Sequence, residues 1–260
     1  MTDKTSTGTT QPTVVVTGAA SGIGQACAQH LLADGYRVFA LDRNTQDAVD
    51  GQLTTIACDV GDEQSVAAAF EKIGRSAPAI DALVCSAGIL RMGSLLDMST
   101  EDFDAVFRVN TRGPWLCAKY ARPLLQASAR ADNPSKIVML GSIASLRPKV
   151  GGGAYAASKA ALSRLVRVMA VELGHEHILV NAVAPATVDT PMIQAALKPD
   201  SGLPYKASGV SPLGRVAQPA DVVAAIKLLL SPGANYITGT LIPVDGGTSA
   251  AFGSPVSSAQ

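Results

Sequence analysis

Several features that would point to a partner or a compartment are scarce in this sequence. Aromatic residues make up only 4% of its 260 residues, too few for a surface on which bases stack. Neither sign of charge dominates: 21 basic residues balance 21 acidic ones. A chain without net charge has no long-range field to draw nucleic acid or an anionic membrane surface, so neither is expected as a partner. No apolar run approaches the roughly 18 residues needed to cross a bilayer. The opening "MTDKTSTGTTQP" has no apolar stretch of the kind a signal peptide needs. The four cysteines (Cys27, Cys58, Cys85 and Cys117) are far apart and include no CxxC, which reads as reduced thiols in a cytoplasmic protein. The three histidines, His30, His175 and His177, offer no metal-ligand spacing, and no metal is expected.

Hydrophobic residues are plentiful, at 47% against 16% charged. That profile is globular, and the length suits one large core. Seven short apolar runs recur along the chain, at 13–18, 37–42, 53–59, 81–88, 136–142, 178–185 and 240–247. Continuous runs of this kind suit strands covered on both faces. Helical patterns alternate with them at 22–33, 62–75, 103–129, 155–173 and 219–230. This alternation predicts an α/β doubly wound fold, a seven-stranded parallel sheet with helices on both faces in a single domain spanning 12–248. The ten residues between Asp42 and Leu53 are too few for a crossover helix and read as a loop or a single turn. Residues 191–212, rich in Pro, Gly and Ser, read as a substrate loop. Residues 1–11 and 249–260 read as tails.

After the first strand stands "TGAASGIG", with Gly18, Gly22 and Gly24. Glycines there let the backbone turn tightly and approach a pyrophosphate, whose charge then meets the N-terminus of the next helix through Ser21, Gly22 and Ile23. Such turns also occur without a nucleotide. The second strand ends at Asp42, where a carboxylate can accept hydrogen bonds from ribose hydroxyls and repel a 2′-phosphate, favouring NAD over NADP. Arg43 beside it works the other way, because a guanidinium can receive that phosphate. The plainer reading of Asp42 is a strand-end turn residue. Asp59, next to Val60, is positioned for the adenine edge or as the helix cap before Glu63.

"AYAASKAAL" sets Tyr155 and Lys159 one helical turn apart, about 6 Å along the axis and on one face. Alone, the pair reads as packing plus solubility. Ser142, Tyr155-x-x-x-Lys159 and the glycine loop together strongly resemble the short-chain dehydrogenase/reductase family. The resemblance runs from about Val14 to Gly247 and takes in "VN" at Asn110, "NAVAPATVDTPM" at 181–192 and "PVDGG".

It implies an oxidoreductase that moves a hydride between a small-molecule secondary alcohol or ketone and NAD. A free tyrosine, with a pKa of about 10, is a poor base at neutral pH, and a neighbouring cation favours its phenolate. On this resemblance Tyr155 is the general acid/base and Lys159 both tunes it and holds the nicotinamide ribose. Ser142 stabilises alkoxide-like charge on the substrate oxygen, and Asn110 anchors a water leading to solvent. Ser86, Ala87 and Gly88 are implied near the adenosine, and Pro185, Val188 and Thr190 around the carboxamide.

Two departures stand out: "CSAG" at 85–88 where the family often has "NNAG", and Pro185-Ala186 where it commonly has Pro-Gly. An alanine at 186 would be strained if the position required positive φ.

Arg91, Met92, Leu146, Arg147, Val150, Met192 and Tyr205 are candidates for substrate contact, with Arg91, Arg147 and Met192 singled out. The set is mostly apolar and suits a ring or short chain. "DALVCSAGILRMG" and "SPLGRVAQPADV" look similar to dehydrogenases of 2,3-dihydro-2,3-dihydroxybenzoate, in which case Arg91 or Arg147 could pair with the carboxylate. Either arginine reads first as a solvated rim residue. An NADPH-dependent ketone or 3-oxoacyl reductase is the alternative. A non-catalytic nucleotide-binding regulator is more remote, since Tyr155, Lys159 and Ser142 are all present. The resemblance also implies a homotetramer, or a dimer, formed through the helices at 103–129 and 155–173.

Overall fold

The computed structural model describes residues 11–196 and 210–251. Eight strands make one sheet: β1 (Thr13–Thr17), β2 (Arg37–Asp42), β3 (Ala48–Asp50), β4 (Leu53–Ala57), β5 (Ala82–Cys85), β6 (Ser135–Leu140), β7 (Ile178–Pro185) and β8 (Leu241–Val244). Their order across the sheet is β3-β4-β2-β1-β5-β6-β7-β8. Seven of them are parallel, as the apolar runs predict, but the expectation of a purely parallel seven-stranded sheet is corrected by β3. That strand runs antiparallel to β4, pairing Asp50 with Leu53 and Ala48 with Thr55. The link after Asp42 is too short for a helix, and it folds back instead through a two-residue turn in which Gly51 takes φ +57°. Asp47 holds it in place, accepting from the Ala57 N–H at 2.8 Å and from Lys72 Nζ at 2.5 Å.

Helices α1 (Gly22–Ala33), α2 (Glu63–Ser76), α3 (Thr100–Phe107), α4 (Gly113–Ser128), α5 (Gly153–Leu173), α6 (Pro191–Ala196) and α7 (Pro219–Leu230) complete the described chain. Alternate residues of β1 serve opposite layers. Val15 joins the core built with α2, α4 and α5, while Val14 and Val16 join the core built with α1 and α7. Burial on both faces is why these strands read as unbroken apolar runs.

The single helix expected over 103–129 is two helices joined by a wider turn at Arg108–Arg112, in which the Gly113 N–H reaches the Arg108 carbonyl five residues back. Pro114 supplies the reason: it has no N–H for the Asn110 carbonyl, and its ring crowds that carbonyl. The widened turn leaves Val109 and Asn110 buried.

Residues 249–251, expected as the start of a tail, lie in a turn in which the Ser249 N–H donates to the Asp245 carboxylate at 2.7 Å. Of the expected substrate loop, 191–196 form α6, 210–212 are irregular, and 197–209, including Tyr205, lie outside the described residues. All four cysteines are free thiols and buried. Among the described residues no helix is long and apolar enough to cross a membrane, and no cluster of His, Cys, Asp or Glu is fit to hold a metal.

Candidate active site

A cleft of about 280 Å³ runs along the C-terminal ends of β1, β2, β4, β5, β6 and β7. The chain reverses its order across the sheet between β1 and β5, and open α/β sheets form their crevice at such a switch point.

In the middle of the cleft lies the glycine loop. Gly18 has φ +69°, and a β-carbon there would stand 2.7 Å from the Ala87 backbone. Only glycine fits. Gly22, at φ +55°, faces the Thr190 methyl. Ser21, Gly22 and Ile23 open α1 toward the cleft with no acidic residue in the first turn, so the positive end of that helix is left for an anion. Gly24 does not line the cleft. Its β-carbon would stand 2.1 Å from the Gly18 carbonyl oxygen, so it allows the helix and the loop to close on each other.

At one end of the cleft are Asp42, Arg43, Asp59 and Val60. The Asp42 carboxylate accepts from the Ala20 N–H at 3.1 Å and from the Asn44 N–H at 2.9 Å. It therefore caps the strand-end turn and also ties β2 to the glycine loop. Asp59 accepts from the Gly61 N–H at 2.8 Å. The helix cap is Asp62, which accepts from the Gln64 N–H, so the capping alternative for Asp59 is set aside.

Ser86, Ala87 and Gly88 form the wall after β5. Sequence reasoning missed Thr17, whose buried hydroxyl accepts from both the Ser86 and Ala87 N–H groups at 3.2 Å. A threonine ending an apolar strand carries no signal of that task. Cys85 takes the place of the usual asparagine and is buried in the core, its Sγ 4.0 Å from the Pro114 carbonyl. The family's amide at that position is replaced by a thiol that donates weakly to a backbone carbonyl.

At the other end Ser142 and Tyr155 meet Lys159, Pro185, Val188 and Thr190. Ser142 Oγ accepts from the Ala144 N–H at 3.1 Å as β6 passes into a short turn. Lys159 is not the solvated edge of α5. It lies on the buried stripe that continues through Leu162 and Val166, and is 3% exposed. Its Nζ donates to the Leu140 carbonyl at 2.7 Å and stands 5.8 Å from the centre of the Tyr155 ring. Burial pushes the ammonium down to about 8.

Asn110 is fully buried behind this end. It accepts from the Ile89 N–H at 2.8 Å and donates to the Ile89 carbonyl and to Ser158 Oγ. Gly88 makes room for it: a β-carbon there would meet Asn110 Oδ1 at 3.3 Å and Lys159 Nζ at 3.7 Å. Among the described residues His177 is the only non-glycine with positive φ. Ala186 therefore replaces the family's glycine without backbone strain.

A side lobe of about 80 Å³ opens beside Ser142 and Tyr155. It contains Met92, Arg147 and Met192 but not Arg91, which pairs at 3.2 Å with Asp102 on α3. Arg147 donates to the carbonyls of Thr248 at 2.5 Å and Ala251 at 2.8 Å. Lys149, which sequence reasoning also missed, lines the same lobe.

The arrangement brings a glycine loop at a helix N-terminus and a tyrosine beside a buried lysine into one cleft. A family model described as enoyl-(acyl carrier protein) reductase matches residues 18–249. The 2,5-dichloro-2,5-cyclohexadiene-1,4-diol dehydrogenase of Sphingobium indicum is 32% identical over 92% of this chain and 97% of its own. Two solved structures overlay closely. The RhlG/NADP active-site complex of Pseudomonas aeruginosa is 32% identical with a TM-score of 0.83, covering 92% of this chain and 96% of that one. A 3-ketoacyl-(acyl-carrier-protein) reductase of Brucella melitensis complexed with NADH is 27% identical with a TM-score of 0.82, covering 92% and 98%. With the glycine loop, Ser142, Tyr155 and Lys159 drawn into one cleft, these matches make the chain a member of the short-chain dehydrogenase/reductase family.

Proposed function

We propose that the protein is an NAD-dependent dehydrogenase of a cyclic secondary alcohol or dihydrodiol, with Tyr155 as its general acid/base. The observation that carries this reading is the convergence of Tyr155, Ser142 and a buried Lys159 at one end of a cleft whose other end holds Asp42.

The residues of the cleft fit a dinucleotide. Gly18, Gly22 and the start of α1 suit a pyrophosphate, Asp42 the adenosine ribose, Asp59 and Val60 the adenine, and Pro185, Val188 and Thr190 the nicotinamide carboxamide. When bound, NAD supplies the hydride acceptor. Tyr155 takes the hydroxyl proton during oxidation and returns it during reduction. Lys159, 5.8 Å from the phenol ring, favours the phenolate by its charge. Ser142 donates to the substrate oxygen as negative charge develops there. Asn110 braces the Ile89 backbone between these groups and the substrate lobe.

The Asp42 carboxylate favours NAD because a 2′-phosphate beside it would meet like charge. Arg43 in the same wall supports the second reading, an NADPH-dependent ketone or 3-oxoacyl reductase. Dihydrodiol chemistry draws support from the Sphingobium indicum relative, whose name describes a ring diol dehydrogenase. Exposed Trp115 on α4 and Val168 and Val171 on α5 support assembly through those helices into a dimer or tetramer.

Tyr155→Phe tests the assignment. It removes the ionisable oxygen and keeps the ring, so turnover of a screened cyclic alcohol should fall at least 100-fold while NADH affinity stays within about threefold. A loss of under tenfold in turnover would remove Tyr155 from the acid/base role.

A further inference from the structure

We infer that Ser158 is a positioning residue for the acid/base pair, a role that rests on the dehydrogenase reading of the same site. In "AYAASKAAL" it stands among alanines, one residue before Lys159, and alanine is the better helix former. Yet this serine is fully buried on α5, where a hydroxyl has to find its partners inside the protein. It finds two. Its Oγ donates to the Tyr155 carbonyl at 2.7 Å and accepts from Asn110 Nδ2 at 3.3 Å.

These bonds continue beyond the helix. Asn110 Nδ2 also donates to the Ile89 carbonyl at 2.9 Å, and Asn110 Oδ1 accepts from the Ile89 N–H at 2.8 Å. Ile89 lines the cleft beside Gly88. One unbroken chain of hydrogen bonds thus runs from the Tyr155 backbone through Ser158 and Asn110 to the wall after β5. Thr111 adds a second tie from the widened turn, its Oγ1 donating to the Ser158 carbonyl at 3.0 Å. From the other side, Lys159 Nζ holds the same turn of α5 to the Leu140 carbonyl at the end of β6. The turn between Tyr155 and Lys159 is therefore fixed from two sides, and Ser158 is where the widened turn attaches. Without its hydroxyl, one Asn110 N–H loses its partner in a site closed to water. The amide must shift to recover one, and the helix is uncoupled from the wall. Ser158 does not itself line the cleft, so its effect passes through Tyr155. A displacement of about 1 Å at a reacting group can cost about 100-fold in rate.

The test measures kcat and KM across pH with NAD and the cyclic alcohol that the parent protein oxidises best in a screen. Ser158→Ala should lower kcat by about 20-fold or more while KM for NAD stays within about threefold. Its kcat should also need a higher pH, by about half a pH unit, because a phenol displaced from the Lys159 charge gives up its proton less readily. Thr111→Val keeps the shape of the side chain and loses the bond to the Ser158 carbonyl. It should move kcat and the pH profile the same way, with kcat down about three- to tenfold. Ser135→Ala removes an equally buried hydroxyl, bonded to the Leu125 carbonyl at the far end of β6. It should melt lower, as Ser158→Ala does, yet keep the parent's kcat and pH profile. A Ser158→Ala protein that behaves like Ser135→Ala, or that loses as much in KM for NAD as in kcat, would overturn the inference and leave the dehydrogenase reading standing. Should Ser158→Ala fail to fold, Thr111→Val decides, and an unchanged kcat and pH profile there overturns the inference. A parent that oxidises no alcohol, or that loses under tenfold on Tyr155→Phe, would overturn both.

Discussion

Lys159 shows what one residue gains and loses by its position. On the buried stripe of α5 it can reach both the Leu140 carbonyl and the face of Tyr155, but its ammonium is held down to about 8 by burial. The folded state therefore binds the Lys159 proton more weakly than the unfolded state, where an ordinary lysine titrates near 10.5. Between about pH 8 and 10.5 the unfolded chain holds more protons at this site, so this residue's share of stability rises with pH across that window. Below about pH 8 the cost of burying the cation is fully present. Lys159→Met removes it. The variant should be more stable than the parent at pH 7, and that advantage should shrink by about 2–3 kcal/mol by pH 10 in denaturant titrations. A difference between the two proteins that stays flat with pH would mean that the ammonium is not penalised in the fold. The cation beside Tyr155 is thus one the fold holds at a cost in stability.

Among the elements, the junction of α3 and α4 connects packing to the wall of the cleft. Gly113 closes the widened turn, and a β-carbon there would meet Val60 Cγ2 at 3.0 Å and the Val60 carbonyl oxygen at 3.1 Å. Val60 in turn lines the cleft beside Asp59. Alanine is the better helix former by about 1 kcal/mol, so Gly113→Ala should keep the protein folded while displacing that wall by a few tenths of an ångström. NADH affinity should fall about three- to tenfold by fluorescence titration. Gly74→Ala on α2, whose β-carbon would meet only Leu124 at an ordinary 3.6 Å, should leave affinity unchanged. An unaltered affinity in Gly113→Ala would mean that the wall gives way freely. At this scale much of the fold is legible from sequence: α1 and α7 begin and end at the boundaries set by hydrophobic period and by Gly22 and Pro219. Strand β3 is not, because three exposed residues carry no period. The widened turn is not, because the apolar pattern runs through it and only Pro114 marks the break. Tyr155, Lys159 and the glycine loop are legible because each lies within a short window next to a strand end. The lobe is not, since Arg147 is oriented by carbonyls 101 and 104 residues further along the chain.

At the scale of the whole molecule, the cleft gathers the ends of six strands, so whatever fills it joins both halves of the sheet. A ligand that binds only the folded chain stabilises it by about 2.7 kcal/mol at 100 times its dissociation constant. For a domain of this size each kcal/mol is worth about 2–4 °C, so NADH at that concentration should raise the melting temperature by about 5–10 °C. The Asp42 carboxylate ties β2 to the glycine loop and would face a 2′-phosphate with like charge. NADPH at the same concentration should therefore give less than a third of the shift. Asp42→Ala removes both the tie and the repulsion: it should lower the melting temperature of the free protein and bring the two cofactor shifts together. Equal shifts in the parent would take cofactor choice away from Asp42 and give it to Arg43, favouring the reductase reading. No shift with either nucleotide would remove dinucleotide binding from the cleft altogether. The free-protein melt separates the two tasks of Asp42: a lower melting temperature with no change in cofactor preference would leave the carboxylate a structural tie alone.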